Sequence, residues 1–227
     1  DMVQKVMTTS NHQNLLCFTA AGKVYSLKVY QIPEAALRSR GRHFANLIRL
    51  DKDDQVVSVL SVAGFEGDNF ICSMTRQGLV KKTSLSLYRN VRANGIIGLK
   101  LDSEDFLISC LLVVPGDDLL LATKEGKAIR FQEKGIRATA RASRGVKGIR
   151  FNKGDEVVGC EVIRPDSASA ILSVCENGYG KRTLTSFYRA QARGGKGVYT
   201  IKVTKRNGSV LGLCQVKESD QVILMTS

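Results

Sequence analysis

The sequence predicts an all-β, propeller-like disc of four-stranded units, and three observations carry that reading. Short strands recur with a period of about fifty residues, X-Gly hairpin turns stand at matching places in each period, and helical periodicity is weak throughout. At 227 residues the chain is long enough for a sizeable buried core.

The period is read from four short segments that align without gaps: LIRL ending at Leu50, GLKL at Leu101, GIRF at Phe151 and TIKV at Val203. Each is followed by a polar turn (DKDD, DSED, NKGDE, TKRNG) and a strand, VVSVL, FLISCLLV, VVGCEVI or VLGLCQV. The first half of each unit reads as another hairpin. Strands LLCFTA, FICSMT, LLLATK and ILSVCE run into Ala21-Gly22, Gln77-Gly78, Glu125-Gly126 and Asn177-Gly178, where glycine supplies the positive φ of a tight turn. The return strands are KVYSLKV, LVKKTSL, KAIRFQ and YGKRTLT. Two hairpins per unit give four strands, and such units hide their apolar faces against one another. The expected units are 12–62, 69–114, 118–163 and 169–216. Partial units are expected at 1–11, where VQKVMTTS reads as a final strand, and at 217–227, where VILMTS reads as a first strand. IPEAALRSR is the best helical segment, a turn or two long. Asp1 in place of Met suggests a piece of a longer protein.

Cys17, Cys72, Cys110, Cys160, Cys175 and Cys214 each lie in or beside an apolar run with no C-x-x-C pair, the setting of buried core thiols and not of metal ligands. No apolar run approaches the length of about 18 residues that spans a membrane, and the N-terminus lacks a signal-peptide pattern. Reduced thiols and no signal predict the cytoplasm.

The net charge of +13 points to a polyanionic partner, most often nucleic acid. Its placement says more than its size. Four residues after the hairpin glycine stand Ser26, Lys82, Arg130 and Arg182, with Lys28 supplying the cation in the first unit; eleven after it stand Pro33, Arg89, Arg137 and Arg189. Lys81 and Lys181 adjoin the first register. The long loops add Arg38, Arg40, Arg42, Arg92, Arg141, Arg144, Lys147, Arg193 and Lys196. The last loop, Gln191-Ala192-Arg193-Gly194-Gly195-Lys196-Gly197, joins cations to a backbone that glycine lets approach a partner closely. Carboxylates gather instead in the second turn: Asp51, Asp53, Asp54, Asp102, Glu104, Asp105, Asp155 and Glu156. On a disc this segregation puts a cationic band on the perimeter, a convex surface suited to bent duplex DNA.

Other chemistry finds little support. No G-x-x-x-x-G-K-[ST], G-x-G-x-x-G or G-x-S-x-G occurs, and no catalytic residue, metal site or cofactor is expected in this chain. Asp117-Asp118 and Asp155-Glu156 fall in predicted turns, where Asp is common for conformational reasons. Tyr88 and Tyr188 share a register and read as packing residues. A low aromatic content of 6% makes a single-strand stacking platform a poor reading.

QARGGKG differs in one place from QRRGGKG, the box of the family of C-terminal domains of the DNA gyrase A subunit. GKVYSLKVYQIPEA, RSRGR, NGYGKRT and TIKVTKRNGSVLG also resemble stretches of that domain, so the likeness covers essentially the whole chain. The resemblance implies a β-pinwheel, six-bladed in the family, whose blades exchange strands and whose basic rim wraps double-stranded DNA. It also implies a parent ATP-dependent type II topoisomerase of A and B subunits (A2B2), with the tyrosine nucleophile, magnesium and ATP sites in other domains, located in the cytoplasm with the nucleoid. In the family the box lies in the first blade; here the copy lies in the fourth unit. Two alternatives remain: the related topoisomerase IV domain, which bends DNA less, and a propeller-like protein scaffold binding at its axis.

Overall fold

The structure, a computed structural model, describes residues 6–36, 38–91, 94–165 and 169–223. Its strands are β1 (Asn14–Thr19), β2 (Lys23–Lys28), β3 (Val56–Val62), β4 (Phe70–Thr75), β5 (Leu79–Ser84), β6 (Ile96–Ile97), β7 (Leu107–Val113) and β8 (Asp118–Thr123). Then follow β9 (Lys127–Gln132), β10 (Val146–Lys147), β11 (Val157–Ile163), β12 (Ala170–Cys175), β13 (Gly180–Leu184), β14 (Val198–Tyr199) and β15 (Val210–Val216). The only helical elements among the described residues are short 3-10 turns, such as Leu85–Tyr88, Glu133–Gly135 and Thr185–Phe187.

The strands form antiparallel sheets ordered β3-β1-β2-β6, β10-β5-β4-β7, β11-β8-β9-β14 and β13-β12-β15. In the first three, a hairpin turning at Gly22, Gly78 or Gly126 supplies the middle pair; in the last, the hairpin at Gly178 supplies the edge strand β13 and the central strand β12. All four glycines have φ between 78° and 82°, the left-handed region the sequence called for. β3, β7, β11 and β15 pack side by side from sheet to sheet, so they form the hub. The two-residue strands β6, β10 and β14 lie at the opposite edge, on the rim.

The second hairpin expected in each unit does not form. β6 belongs to the second repeat by sequence but pairs with β2 of the first, Ile96 opposite Val24. Likewise β10 of the third repeat pairs with β5 of the second, and β14 of the fourth with β9 of the third. LIRL, GLKL, GIRF and TIKV are themselves not strands; they are the irregular continuation that crosses from one sheet to the next. The same polar turn therefore joins two neighbouring sheets and does not close a hairpin within one. The first repeat's counterpart, around a 3-10 turn at Phe44–Asn46, packs Phe44, Leu47 and Ile48 over Leu15, Cys17 and Tyr25.

Each crossing segment is fastened at the hairpin glycine of the preceding repeat. Gly98 N–H donates to the Gly22 carbonyl at 2.9 Å, Gly148 to Gly78 at 2.8 Å, and Thr200 to Gly126 at 2.9 Å. The approach is close enough that a Cβ on Gly126 would lie 2.1 Å from the Ile201 carbonyl oxygen, whereas one on Gly178 would meet nothing within 4 Å. Carboxylates of the second turn fasten the other side of the same hairpins: Asp54, Asp105 and Asp155 accept from the N–H of Ala21 (3.1 Å), Gln77 (3.0 Å) and Glu125 (2.9 Å).

The apolar cores lie between sheets, not within one. β8 shows why: Leu119 and Leu121 pack toward Cys72, Val80 and Val113 of the second sheet, while Leu120 and Ala122 pack with Ile171 and Tyr188 of the fourth. Period-two alternation gives such a strand two buried faces. Cys17, Cys72, Cys110, Cys160 and Cys175 are buried as read from sequence, and Cys214 is half-buried. Burial pushes the Cys17, Cys72 and Cys110 thiols up to about 12, so none is a thiolate at neutral pH.

Some expectations are corrected. Residues 6–11 and 217–223 carry no strand, so the partial flanking units have none among the described residues; residues 1–5 and 224–227 lie outside them. IPEAALRSR forms no helix over its described residues. Asp118, expected in a turn, opens β8 and is buried.

Gly126→Ala and Gly178→Ala separate conformation from contact. Both force alanine to positive φ, at about 1–2 kcal/mol, but only Gly126→Ala drives a methyl into the crossing segment. Chemical denaturation should show Gly126→Ala several kcal/mol less stable than Gly178→Ala; equal losses would contradict the interlock.

Candidate nucleic-acid interface

The rim is built from the long loops of the repeats, three of which are equivalent. In the second, third and fourth repeats the chain leaves its own 3-10 turn, runs beside the preceding hairpin, and returns through β6, β10 or β14. Thr139 N–H donates to the Lys82 carbonyl and Gln191 N–H to the Arg130 carbonyl, both at 2.9 Å. The loops are also fastened to one another: Lys100 N–H donates to Ser143 O (3.1 Å), Gly194 N–H to Gly148 O (2.6 Å), and Arg150 N–H to Gly195 O (2.8 Å). The loops of the second, third and fourth repeats thus form a hydrogen-bonded girdle.

The cations read from sequence divide into two classes on this frame. Arg38, Arg40, Arg42, Arg89, Arg137, Arg144, Lys147, Lys181, Arg182, Arg189, Arg193 and Lys196 are exposed. Lys28 is half-buried, its ammonium 3.4 Å from the His12 carbonyl. Arg92 lies outside the described residues. Arg89 forms an exposed ion pair with Glu66, and Arg144 one with Asp102; surface pairs of this kind are worth about 0–1 kcal/mol and exchange readily.

The register four residues past the hairpin glycine is a different matter. Lys82 is buried, pairs with Glu133 of the next repeat, and donates to its carbonyl at 3.2 Å, with the ammonium 4.8 Å from the Phe70 ring. Arg130 pairs with Asp118 at 2.7 Å and donates to the Thr185 carbonyl at 3.0 Å. Glu133 and Thr185 occupy the same place in successive repeats, so the two cations are repeats of one device, a clamp between neighbouring sheets. Lys81 is buried as well, with its ammonium on backbone carbonyls. As DNA contacts, the buried Lys81 and Lys82 are therefore corrected, while Arg130 is half-buried with its guanidinium held by Asp118 and the Thr185 carbonyl. Their charge faces inward because each meets acceptors from the next repeat, which the linear sequence does not display. Arg141 is half-buried.

Within QARGGKG, Arg193 donates Nε–H to Gly135 O (2.9 Å) and Nη1–H to Lys147 O (3.1 Å), so much of its guanidinium holds the loop against the third repeat. Gly197 has φ 68° and would place a Cβ 2.4 Å from the Ala128 carbonyl oxygen, which explains its glycine. Lys196 is exposed.

A further cationic register is absent from the sequence reading. Arg49, Lys100, Arg150 and Lys202 occupy the third place of LIRL, GLKL, GIRF and TIKV, are basic in every repeat and are all exposed, the last three just beyond β6, β10 and β14. The signal lies in the segments that define the period; it is hidden because those segments read as strands. The carboxylates, by contrast, serve the hairpin tips. A cleft near the hub ends of β7, β11 and β15 is lined by Leu111, Val114, Glu161, Arg164, Gln215 and Lys217, a mixture of signs that does not favour an anion.

A sequence profile described as "DNA gyrase C-terminal domain, beta-propeller" matches residues 13–63, 69–113, 117–164 and 171–214, one segment per sheet. The chain belongs to the DNA gyrase A C-terminal domain family. It is 41% identical over its whole length to the DNA gyrase A subunit of Lawsonia intracellularis, covering 28% of that protein, and 41% identical to that of Escherichia coli K12, covering 26%. The chain thus spans about a quarter of the length of the curated relatives it matches. Among solved structures, a topoisomerase IV C-terminal domain superposes with TM-score 0.83 at 26% identity, and a DNA gyrase A C-terminal domain with TM-score 0.78 at 27%. The alignments cover 92% of this chain and 65% and 68% of those chains. The β-pinwheel expected from the sequence is the observed architecture, with strand exchange between repeats.

The clamp and the rim should separate in experiment. Lys82→Met strands a buried Glu133 carboxylate and should cost about 3–5 kcal/mol, while Arg189→Gln should leave stability within about 0.5 kcal/mol. Urea denaturation checks both, and a neutral Lys82→Met would contradict the clamp.

Proposed function

We propose that this chain binds double-stranded DNA along its rim with little regard for sequence and wraps it, supporting negative supercoiling by a DNA gyrase. The observation that carries the reading is the exposed register Arg49, Lys100, Arg150 and Lys202, one cation per repeat. With it run the exposed loop cations Arg40, Arg89, Arg137, Arg144, Arg189 and Lys196. Equivalent positions on successive repeats present phosphate-binding charge at regular intervals along a convex path. Phosphate contacts position the duplex without reading bases.

The energetics are consistent with wrapping. Bending 20–30 bp by 40–90° costs roughly 1–6 kcal/mol, and counterion release from many phosphate contacts offsets it at moderate salt. Arg89 and Arg144 give up only exposed ion pairs to reach phosphates. The girdle of backbone hydrogen bonds holds the loops in place before DNA arrives, so little ordering cost falls on binding.

On this reading the partners are the remainder of the gyrase A subunit, together with the gyrase B subunit, in a cytoplasmic assembly. Strand cleavage, magnesium and ATP hydrolysis belong to domains outside this chain. The whole-chain 41% identity to gyrase subunits favours gyrase over topoisomerase IV. An axial protein-binding scaffold is less favoured, since the repeating charge lies on the rim and not at the hub.

Replacing Arg49, Lys100, Arg150 and Lys202 together by Gln tests the reading. The slope of log affinity against log salt should flatten by about 0.9 for each phosphate no longer neutralised, with thermal stability nearly unchanged. A slope equal to the parent's would remove this register from the interface, and no binding by the parent at low salt would reject the DNA reading itself.

A further inference from the structure

Lys81 is a buried ammonium whose hydrogen bonds run to backbone carbonyls. Its Nζ donates to the Gly98 carbonyl at 2.6 Å and the Ala140 carbonyl at 3.2 Å, and also to the Arg141 carbonyl. Those acceptors belong to different rim loops. Gly98 closes β6, the end of the second repeat's loop where it enters the first sheet. Ala140 and Arg141 lie in the third repeat's loop, between the Thr139 anchor and β10. Three donors on one ammonium therefore meet three carbonyls, two of them directly beneath the segment that carries Arg141 and Arg144.

The register is used selectively. Lys181, at the same place in the fourth repeat, donates to the Thr200 carbonyl at 3.2 Å, and Thr200 is the counterpart of Gly98. In the first and third repeats the position is Tyr25 and Ile129, which cannot make this link. A buried Lys normally carries a desolvation cost; here an apolar or aromatic residue serves the same place in two of four repeats. Packing alone therefore does not demand a cation at this position.

We propose that Lys81 is a positioning residue of the DNA rim, tying two successive loops so that Arg141 and Arg144 stand at a fixed spacing from the second repeat's loop. The proposal rests on the DNA-binding reading of the rim. Lys81 itself touches no DNA; it acts through the carbonyls it holds.

Protonation is part of the device. Burial pushes the Lys81 pKa down to about 8; of the titratable groups facing it, Cys110 on β7 acts to raise it and Arg141 on the held loop to lower it. The uncharged amine keeps two N–H groups for three carbonyls, so one is released as pH rises through about 8. The sign on stability is opposite. With the folded pKa below the unfolded value of 10.5, the unfolded state binds more protons between about pH 8 and 10.5, and stability relative to a Lys81→Met variant rises with pH over that window.

The test is a cycle of the parent chain, Lys81→Met, Arg141→Gln/Arg144→Gln and the triple variant, scored by duplex DNA affinity against salt. Lys81→Met should lower affinity about five- to ten-fold and flatten the salt slope by about 1–2, as for loss of one or two phosphate contacts. It should have almost no effect once both arginines are gone. Effects that simply add, or an unchanged affinity, would overturn the proposal. Amide exchange at residues 139–145 gives a readout without DNA: Lys81→Met should speed it while exchange in β8 and β11 stays slow, and unchanged exchange would reject the tether even if the chain failed to bind DNA. Should Lys81→Met not fold, the parent's affinity between pH 7 and 9 decides. It should fall with rising pH in the parent and stay flat in Arg141→Gln/Arg144→Gln; parallel profiles would count against the proposal.

Discussion

The molecule depends on a backbone hydrogen bond repeated between units: the N–H that follows each short rim strand, donated to the carbonyl of the preceding hairpin glycine. It joins Gly98 to Gly22, Gly148 to Gly78 and Thr200 to Gly126. Glycine is required at the acceptor because the crossing segment lies where a side chain would stand, as the 2.1 Å approach at Gly126 makes plain. Because of this bond a repeat cannot complete its own sheet. Its fourth strand comes from the next repeat, and stability, loop placement and spacing are set together.

The two classes of cation follow from that arrangement. On the second hairpin strand Lys82 meets Glu133 and Arg130 the Thr185 carbonyl of the neighbouring repeat's turn, with Asp118 of its own sheet as the second partner of Arg130, and both serve as clamps. A residue in the crossing loop faces outward, so Arg49, Lys100, Arg150 and Lys202 stay exposed, with Arg49 donating to Asn94 Oδ1 at 3.0 Å. Asp54, Asp105 and Asp155 are held at the tips by hairpin N–H groups, whereas Glu66 and Asp102 reach the band and pair with Arg89 and Arg144. For the three carboxylates held at the tips, segregation from the rim cations is a by-product of hairpin capping.

Much of this is legible in the chain. The bounds of β4, β9, β11 and β15 coincide with the apolar alternation and X-Gly turns that mark them, since local pattern and local structure agree there. Strand exchange is not legible from periodicity. A two-residue strand such as Ile96–Ile97 carries too little pattern to declare its partner, and a polar turn reads alike whether it closes a hairpin or links two sheets. Lys82 reads as a surface cation for a related reason: its partner Glu133 lies 51 residues away, and charge without topology looks like surface. The register of Arg49 is visible in the chain itself, at the third place of each segment that marks the period, once those segments are no longer taken for strands.

On the proposed reading, the girdle presents its cations along a curved, handed path that DNA follows. The most direct measurement is the linking number of relaxed closed-circular DNA saturated with this chain, treated with a type I topoisomerase and deproteinised. A wrapping rim predicts a topoisomer distribution displaced from the protein-free control, by an amount that grows with protein and disappears at high salt. Tight binding with an undisplaced distribution would mean that DNA lies on the rim without wrapping, and would contradict a handed path.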